Sequence, residues 1–374
     1  MTTWSRPVVV LFGGPSAEHD VSIVSGTAIA EALLDGGADV DQVLIDLDGR
    51  WWGLPPEHRR AGRPGSAYDD PATLGAQGPL ALGDALTALG TRADPPVVFI
   101  ALHGPFGEDG TVQAVLQAAG LPYTGSGVAA SALGMDKALF KRMCRGLGLP
   151  VVDWREVRAD RWARDPDGVR GELAAFATGV TGDARLMVKP ARLGSSVGMT
   201  LVHEPGALDG ALAEAFRHDD LALVETYLAG ARDLEVAVMG NDPSRLEIFG
   251  PGEIVSGNEF YDYAAKYTPG LSQTSTRAEV SDAQRALLHK LSRDVYRAIG
   301  AEGFARIDFL VAGERLVISE INTIPGFTPI SLFPTMPAEG GYAFVDVCRH
   351  IIELALERHA ARPTTALRPA DLPR

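Results

Sequence analysis

The 374-residue sequence has few cysteines, no long apolar run and a shortage of positive charge. Cys144 and Cys348 are too few for a disulfide framework or a cysteine-based zinc site, so we expect plain thiols in a reducing cytoplasm. No apolar run approaches the roughly 18 residues of a membrane span. The N-terminus passes directly into a strand-like run at 8–12 without a basic segment, which does not indicate a signal peptide. We therefore expect a cytoplasmic protein without a membrane partner.

The charge balance is acidic, with 48 Asp and Glu against 34 Lys and Arg and a formal net charge of −14. This balance opposes binding to a phosphate backbone, so we expect no nucleic-acid partner, although a local basic pocket for a small phosphate remains open. The apolar fraction of 46% and the charged fraction of 22% exclude a coiled coil, a collagen-like rod and a disordered chain.

Strand-like and helical segments alternate in the first 125 residues. Apolar runs at 8–12, 43–47 and 97–102 are separated by segments with helical spacing, which predicts an α/β fold with a doubly wound parallel sheet. Segment 51–96 contains seven Gly and seven Pro and is predicted to be an irregular insertion with a short helix near 80–89.

The rest of the chain predicts two further sections. Strands are expected at 151–154, 186–189, 199–202, 222–226, 234–239, 304–311 and 316–321, and helices at 137–147, 169–177, 207–216 and 282–299. The last two strands are joined by a short Gly-containing turn, which is typical of a hairpin. We expect domains at 1–125, 126–225 and 226–361, followed by a disordered tail at 362–374.

Lys189 lies at a predicted strand end, directly before a Gly- and Ser-rich loop that includes Gly194, Ser195 and Ser196. Backbone N–H groups and hydroxyls of such a loop can bind one anion while the lysine neutralises it. The spacing is not that of a Walker A loop, and a plain turn is the alternative.

The predicted hairpin carries Arg306 and Asp308 on one strand and Glu320 and Asn322 on the other. Residues two apart on a strand share a face, and these carboxylate and amide oxygens suit Mg²⁺. The alternative is a hairpin with one solvated face. The sequence does not give the register, and a slip of one residue would separate the carboxylates.

Other polar segments follow predicted strands. Glu18 follows the Gly13-Gly14 turn, and His103 opens the segment 103–110, so both lie at the carboxyl ends of parallel strands, where ligands bind. Acidic residues there could equally cap the next helix. Segment 322–331 is either a ligand-facing loop or a connector, and the aromatic tract 258–270 is interpreted as a lid.

Taken in order, these segments resemble the D-alanine–D-alanine ligase family of the ATP-grasp superfamily over about residues 7–360. The motifs that carry the resemblance are Gly13-Gly14-x-Ser16-x-Glu18-His19, His103-Gly104-x-x-Gly107-Glu108-Asp109-Gly110, Tyr123-x-Gly125-Ser126-Gly127, Met135-Asp136-Lys137, Lys189-Pro190, Gly194-Ser195-Ser196-x-Gly198, the tract 261–267, Arg306-x-Asp308 and Glu320-x-Asn322-Thr323-x-Pro325-Gly326. The resemblance implies three α/β domains, with ATP between the central and C-terminal ones.

The resemblance also implies residue roles. The residues implied to bind ATP are Lys137, Lys189, Ser196, Glu225, Leu228, Asp233, Phe260 and Lys266. Those implied to hold two Mg²⁺ ions, with Mn²⁺ able to replace them, are Asp308, Glu320 and Asn322. Those implied in catalysis are Glu18, Ser195, Tyr267, Arg306 and Gly326. Those implied to bind the D-alanine substrates are Glu18, His103, Ser331 and Leu332. Asp233 stands where many relatives have glutamate.

The implied reaction joins two D-alanines through a D-alanyl phosphate for peptidoglycan precursor synthesis, in a homodimeric enzyme. No side chain stands out as the base for the second amine. Two alternatives remain, a D-alanine–D-lactate or D-alanine–D-serine ligase and a non-catalytic nucleotide-binding ATP-grasp protein. The Lys266-Tyr267 pair favours the dipeptide-forming type.

Overall fold

The computed structural model describes residues 4–179, 185–256 and 271–362. Three β-sheets follow one another along this part of the chain. The predicted tail beyond Arg362 and the predicted lid at 258–270 lie outside the described residues. None of the helices that the structure describes is long and apolar enough to cross a membrane.

The first sheet has five strands in the order β4-β3-β2-β1-β5. The strands are β1 (Val8–Gly13), β2 (Val40–Ile45), β3 (Trp51–Gly53), β4 (Gln77–Leu80) and β5 (Val97–Ile100), and the helices of this section are α1 (His19–Asp35), α2 (Leu82–Gly90) and α3 (Thr111–Ala118). β1 pairs in parallel with β2 and β5. Alternate residues of β1 belong to two separate apolar clusters, one with α1 and one with α2 and α3. Apolar packing on both faces explains why β1 is continuously hydrophobic, as predicted.

The insertion at 51–96 is more regular than the sequence predicts. β3 and β4 add two antiparallel strands to the edge of the parallel sheet, so the expectation of an irregular insertion is wrong for these residues. The expected helix near 80–89 is confirmed as α2. β4 contains Pro79 and is exposed along its length, and these features of an edge strand hid it from pattern-based prediction.

The second sheet has four antiparallel strands in the order β6-β9-β7-β8. The strands are β6 (Trp154–Arg158), β7 (Leu186–Pro190), β8 (Thr200–Val202) and β9 (Leu221–Thr226), and the helices of this section are α4 (Val128–Met135), α5 (Lys137–Gly146), α6 (Ala159–Arg164), α7 (Pro166–Gly179) and α8 (Leu208–Ala215). The strand predicted at 151–154 begins only at Trp154. Its position is set by pairing with β9, whereas Val152 is buried without being part of a strand.

The third sheet is antiparallel, in the order β12-β11-β10-β13-β14. The strands are β10 (Arg232–Met239), β11 (Glu247–Ser256), β12 (Ser272–Ser275), β13 (Phe304–Ala312) and β14 (Arg315–Asn322), and the helices are α9 (Asp282–Ala298), α10 (Leu332–Thr335) and α11 (Phe344–Ala361). β13 and β14 confirm the predicted hairpin, and α9 confirms the long helix, which begins with a Ser281–Gln284 capping box. The sequence interpretation missed β11, β12, α10 and α11. Short 3₁₀ turns occur at Gly65–Tyr68, Pro71–Leu74, Pro205–Ala207 and Met336–Gly340.

The last helix of the described chain, α11, packs against the first section. Helix α11 packs in the same apolar cluster as α1 and β5. Phe327 contacts Phe99 of the first sheet and Phe304 of the third through edge-on ring contacts. The buried Arg358 donates to the Tyr123 carbonyl at 2.7 Å. The Phe327 contacts hold the loop that leaves β14 against the first sheet, and Arg358 joins α11 to the segment after α3.

We predict that Gly26→Ala destabilises the protein. Gly26 is on α1, where an added Cβ would lie 2.3 Å from Phe12 Cβ, and such overpacking typically costs about 1–3 kcal/mol. Gly171→Ala on α7 is the matched control, because its Cβ would meet nothing within 4 Å. Alanine has a higher helix propensity than glycine, so Gly171→Ala should increase the free energy of unfolding by about 0.5–1 kcal/mol. Urea denaturation of both variants tests this, and a Gly26→Ala protein as stable as wild type would contradict it.

Candidate active site

The hairpin of β13 and β14 brings together the four polar residues that the sequence predicts on one face. Arg306 lies opposite Asn322, and Asp308 lies opposite Glu320. Arg306 donates to both oxygens of Asp308, from Nε at 2.7 Å and from Nη2 at 2.6 Å, and Asn322 Nδ2 donates to Asp308 at 2.9 Å. The sequence does not give the register of this hairpin, and the observed register places Asp308 directly opposite Glu320.

A β-bulge makes this face compatible with the core behind it. The register shifts between Asp308 and Phe309, so that Phe309 lies opposite Ile318 instead of Ser319. Both of these apolar residues are buried together with Ile307 and Ile321. The bulge therefore places the polar residues towards the cleft while the apolar residues on both strands stay in the core.

Glu235, on the neighbouring strand β10, extends the charged cluster. Its Oε2 lies 3.3 Å from Arg306 Nε. Burial alone would lower the pKa of the Arg306 guanidinium, but the carboxylates of Asp308 and Glu235 outweigh it and hold that pKa well above its ordinary value. Arg306 is thus a partly buried cation among carboxylates.

Lys137 is the first residue of α5, and the preceding Asp136 caps this helix by accepting from two backbone N–H groups at 3.0 and 2.9 Å. The lysine Nζ donates to the Leu193 carbonyl at 2.8 Å and lies 3.0 Å from Glu320 Oε2. Burial opposes the charge, but Glu320 outweighs it and raises the Lys137 pKa. Lys137 therefore links the Gly/Ser loop to the hairpin.

A second buried charge cluster lies on the central sheet. Glu225 on β9 is 2.9 Å from Lys189 on β7 and 3.1 Å from Lys141 on α5. Burial would raise the pKa of the Glu225 carboxyl, but the two lysines together lower it. Burial, together with the charge on Lys189, lowers the pKa of Lys141.

The Gly/Ser loop has an unusual backbone. Ser195 and Ser196 have φ angles of +51° and +57°, in the left-handed region that residues with a side chain seldom adopt. Such conformations cost of order 1–3 kcal/mol each and cluster at ligand-binding sites. The ligand-loop interpretation of this segment is thereby favoured over the plain turn.

Glu18 lies beside this loop in a cramped, buried position. Its Oε1 accepts a hydrogen bond from the Ser195 hydroxyl. A Cβ added at Gly104 would lie 2.6 Å from Glu18 Oε2, and one added at Gly194 would lie 2.8 Å from it. Within the described parts of the chain, this Oε2 has no hydrogen-bond partner. A buried carboxylate oxygen of this kind suits a ligand that carries an N–H⁺ donor.

His103 connects the first sheet to the loop after β14. Its ring nitrogens lie 2.9 Å from the Ser25 hydroxyl and 3.1 Å from the Ile324 carbonyl, and Glu108 Oε1 is 3.5 Å away. Burial raises the Glu108 pKa to about 7. Burial opposes the charge on His103, but its hydrogen bond and attraction to Glu108 outweigh this and raise its pKa.

The residues predicted for catalysis and substrate binding in the last loop lie together. A Cβ added at Gly326 would lie 3.5 Å from the Ser331 hydroxyl. Ser331 also contacts Thr328, with the two hydroxyls 2.7 Å apart. The Leu332 side chain is buried in the core, so only its backbone can meet a ligand.

Most of the predicted site residues lie at one cleft, between the second and third sheets. The predicted residues that line it are Lys137, Lys189, Ser195, Ser196, Glu225, Leu228, Asp233, Arg306, Asp308 and Glu320. Glu18 adjoins it through Ser195, and Asn322 through Asp308. His103, Gly326, Ser331 and Leu332 lie outside its lining. Phe260, Lys266 and Tyr267 belong to the tract that the structure does not describe.

The sequence interpretation overlooked two charged residues, Glu235 in the lining of this cleft and Lys141 behind it. Glu235 lies two residues after Asp233 on β10, so alternation along the strand puts both on the cleft side. Lys141 follows Lys137 by four residues on one helix face. Both spacings were visible in the sequence and could have identified these residues.

Solved structures with the same architecture identify the class of the fold. The chain aligns with the D-alanine-D-alanine ligase from Coxiella burnetii at TM-score 0.73 and 30% identity, covering 95% of each chain. It aligns with the VanG D-Ala:D-Ser ligase from Enterococcus faecalis at TM-score 0.78 and 28% identity, covering 94% of this chain and all of the other. The fold is that of an ATP-grasp protein, with three sheets and a cleft between the second and third.

Sequence comparisons then give the family. Models described as D-ala D-ala ligase N-terminus and C-terminus match residues 7–126 and 143–353. The D-alanine--D-alanine ligase of Kineococcus radiotolerans is 39% identical over 96% of this chain and 99% of its own. The D-alanine--D-alanine ligase of Chlorobaculum tepidum is 37% identical over 95% of this chain and 98% of its own. The chain belongs to the D-alanine–D-alanine ligase family, which confirms the resemblance.

We predict that the buried His103–Glu108 pair makes stability decrease as the pH rises. Both pKa values are raised on folding, so the folded pair retains protons that the unfolded chain has released. The free energy of unfolding should therefore fall by about 1–3 kcal/mol from about pH 5 to pH 8 because of this pair.

Denaturation across this pH range tests the prediction, with Glu108→Gln compared to wild type. The variant should lose that part of the pH dependence, whereas Glu314→Gln, at the exposed hairpin turn, should keep it. Parallel pH profiles for wild type and Glu108→Gln would contradict it.

Proposed function

We propose that this protein joins two D-alanine molecules into D-alanyl-D-alanine at the expense of ATP, releasing ADP and phosphate for peptidoglycan precursor synthesis. The observation that carries the proposal is the buried Glu18 carboxylate beside a cleft that also holds Lys137 and Arg306. An ammonium acceptor next to a cleft whose wall carries Lys137, Lys189 and Arg306 suits an amino acid that reacts with a nucleoside triphosphate.

Family membership implies the use of ATP and of small-molecule substrates. Lys137 and Lys189 are the cations suited to the phosphates, because both are buried at the cleft wall. Ser196 supplies a hydroxyl and backbone N–H beside them. Glu225 and Leu228 are suited to the adenine and Asp233 to the ribose hydroxyls, all three lying in the same lining. The lid residues Phe260, Lys266 and Tyr267 complete this proposal.

The hairpin carries a donor set that fits Mg²⁺, because Asp308 and Glu320 face each other and Asn322 contacts Asp308. No group of three His, Cys, Asp or Glu side chains able to hold a metal occurs in the described parts of the chain. The fit therefore depends on the two carboxylates and the asparagine amide. We propose that these residues hold two Mg²⁺ ions, or Mn²⁺ in their place. Bound metal would offset the charge of the phosphates and polarise the one that is transferred.

In the first proposed step, Glu18 binds the ammonium of one D-alanine and Ser195 keeps Glu18 in place. The D-alanine carboxylate oxygen forms a bond to the γ-phosphorus while the bond to ADP breaks, which gives D-alanyl phosphate. Lys137 and Lys189 stabilise the negative charge. Tyr267 and the lid exclude water, since an acyl phosphate is readily hydrolysed.

In the second step, the neutral amine of another D-alanine attacks the acyl carbon. His103 and the Ser331–Leu332 segment contribute to the substrate site, with Ser331 and the Leu332 backbone taking the second carboxylate. Arg306 and the Gly326 N–H stabilise the tetrahedral oxyanion, and losing one such donor typically costs about 100- to 1,000-fold in rate. Collapse expels phosphate and forms the peptide bond. The base that takes the amine proton is left unassigned.

We further propose a cytoplasmic homodimer with domains at 1–125, 126–225 and 226–361, in line with the sequence analysis. Two alternative functions are not favoured. D-serine is the second substrate named for one structural relative, whereas the relatives compared by sequence are D-alanine--D-alanine ligases. The carboxylates of Asp308 and Glu320 argue against a non-catalytic nucleotide-binding protein, which has no need of them together.

We predict that phosphate release needs only ATP, Mg²⁺ and D-alanine. The assay measures phosphate with D-alanine, L-alanine, D-serine or D-lactate, and mass spectrometry identifies the product. D-Alanine alone should give D-alanyl-D-alanine, and L-alanine should be inactive, because its methyl group and α-hydrogen exchange places when its ammonium and carboxylate occupy the same two positions. Turnover that requires added D-serine or D-lactate would replace the proposed substrate. Nucleotide binding without turnover would favour the non-catalytic alternative.

We predict that Glu320→Gln leaves the fold intact and reduces kcat at least about a hundredfold, because it removes a carboxylate from the proposed metal site. Glu314→Gln on the same hairpin, but exposed at its turn, should retain wild-type kcat. Steady-state phosphate release and circular dichroism check both variants. Near-wild-type activity of Glu320→Gln would remove this residue from the proposed metal site.

A further inference from the structure

Lys141 is a completely buried lysine behind the cleft. It lies on α5, one turn after Lys137, and its side chain has no exposed surface. Its Nζ is 3.1 Å from Glu225 Oε1, and neither atom has an aligned hydrogen bond within the described parts of the chain. Lys141 also lies 6.0 Å from the centre of the Trp154 ring. A charge in this position is unfavourable unless it neutralises Glu225.

The two lysines that flank Glu225 have different surroundings. Lys189 Nζ contacts the other carboxylate oxygen at 2.9 Å, and both Lys189 and Glu225 line the cleft. Lys141 does not line the cleft. A ligand in the cleft can therefore reach Lys189 and Glu225, whereas Lys141 contacts only protein.

This difference matters when a phosphate enters the cleft. The phosphate competes with Glu225 for Lys189, because both are anions and one ammonium group cannot neutralise both equally well. A Glu225 carboxylate that lost Lys189 would be a buried charge without compensation unless another cation remained. Lys141 is the cation that remains.

We propose that Lys141 is a positioning residue, the counter-ion that keeps Glu225 ionised and in place when Lys189 turns to the phosphates of the nucleotide. The inference rests on the proposed function, in which Glu225 meets the adenine. An ionised carboxylate only accepts hydrogen bonds, so it favours the exocyclic amine of adenine over the 6-oxo group of guanine. Lys141 thereby contributes both to the affinity for ATP and to its selection over GTP. The lowered pKa of Glu225 agrees with this role.

The test measures nucleotide binding directly. Isothermal titration calorimetry with ATP–Mg²⁺ and GTP–Mg²⁺ is performed on wild type, Lys141→Met and Lys141→Arg. Lys141→Met should weaken ATP binding about 10- to 100-fold, as expected when the buried Glu225 carboxylate loses one of its two cations, and should weaken GTP binding less. Lys141→Arg keeps the charge and should restore most of the affinity.

Steady-state kinetics separates this role from a general structural one. In Lys141→Met the KM for ATP should rise, while the KM for D-alanine should stay within about twofold of wild type. Arg145→Met is the matched control, because Arg145 lies on the same helix and stacks 3.9 Å from the centre of the Trp154 ring but does not contact Glu225. The control should bind ATP as wild type does.

A double-mutant cycle with Glu225→Gln tests whether Lys141 acts through Glu225, and Glu225→Gln/Lys141→Met should fold even if Lys141→Met does not. In the Glu225→Gln background, Lys141→Met should change ATP affinity by less than about twofold. A tenfold further loss there, or unchanged ATP affinity in folded Lys141→Met, would overturn the inference. If wild type binds ATP but releases no phosphate with any amino acid, the proposed function fails while the binding cycle still decides the role of Lys141.

Discussion

The positive and negative side chains in and behind the cleft must neutralise one another, and these ion pairs connect the elements that form its walls. Lys137 reaches Glu320 across the cleft, Arg306 lies between Asp308 and Glu235, and Glu225 lies between two lysines. Removing one partner of a deeply buried pair such as Lys141 and Glu225 typically costs about 3–5 kcal/mol, so these two groups hold each other in position. A polyanionic nucleotide and its metal ions would enter a site where each added charge meets an opposite one already in place.

The surroundings of the Glu18 carboxylate are closely packed. Gly104 comes from the loop after β5 and Gly194 from the loop after β7, and both approach the carboxylate too closely for any side chain. The left-handed Ser195 brings its hydroxyl to the carboxylate from the same side. The strained backbone of this loop thus orients the Glu18 carboxylate, whose second oxygen is left for a ligand.

Besides supplying Glu18, the first sheet contributes to the site by holding the loop after β14. His103 contacts the Ile324 carbonyl, and Phe327 packs between Phe99 and Phe304. The proposed oxyanion donor at Gly326 lies between these two fixed points in the chain. A domain far away in sequence can therefore affect the chemistry of this loop by setting its position.

The sequence by itself determined the periodic elements and the chemistry available. The continuous apolar run of β1, the helix at 282–298 and the alternation along the hairpin all reflect local rules, so they were predicted closely. Tertiary structure decided the rest. Hairpin register depends on a bulge at Asp308–Phe309, which only the packing of Phe309 against Ile318 makes favourable. β4 and the start of β6 depend on their neighbouring strands, and Lys141 has a partner only because α5 packs against β9. Pairings between distant residues are set by burial, which a linear pattern does not contain.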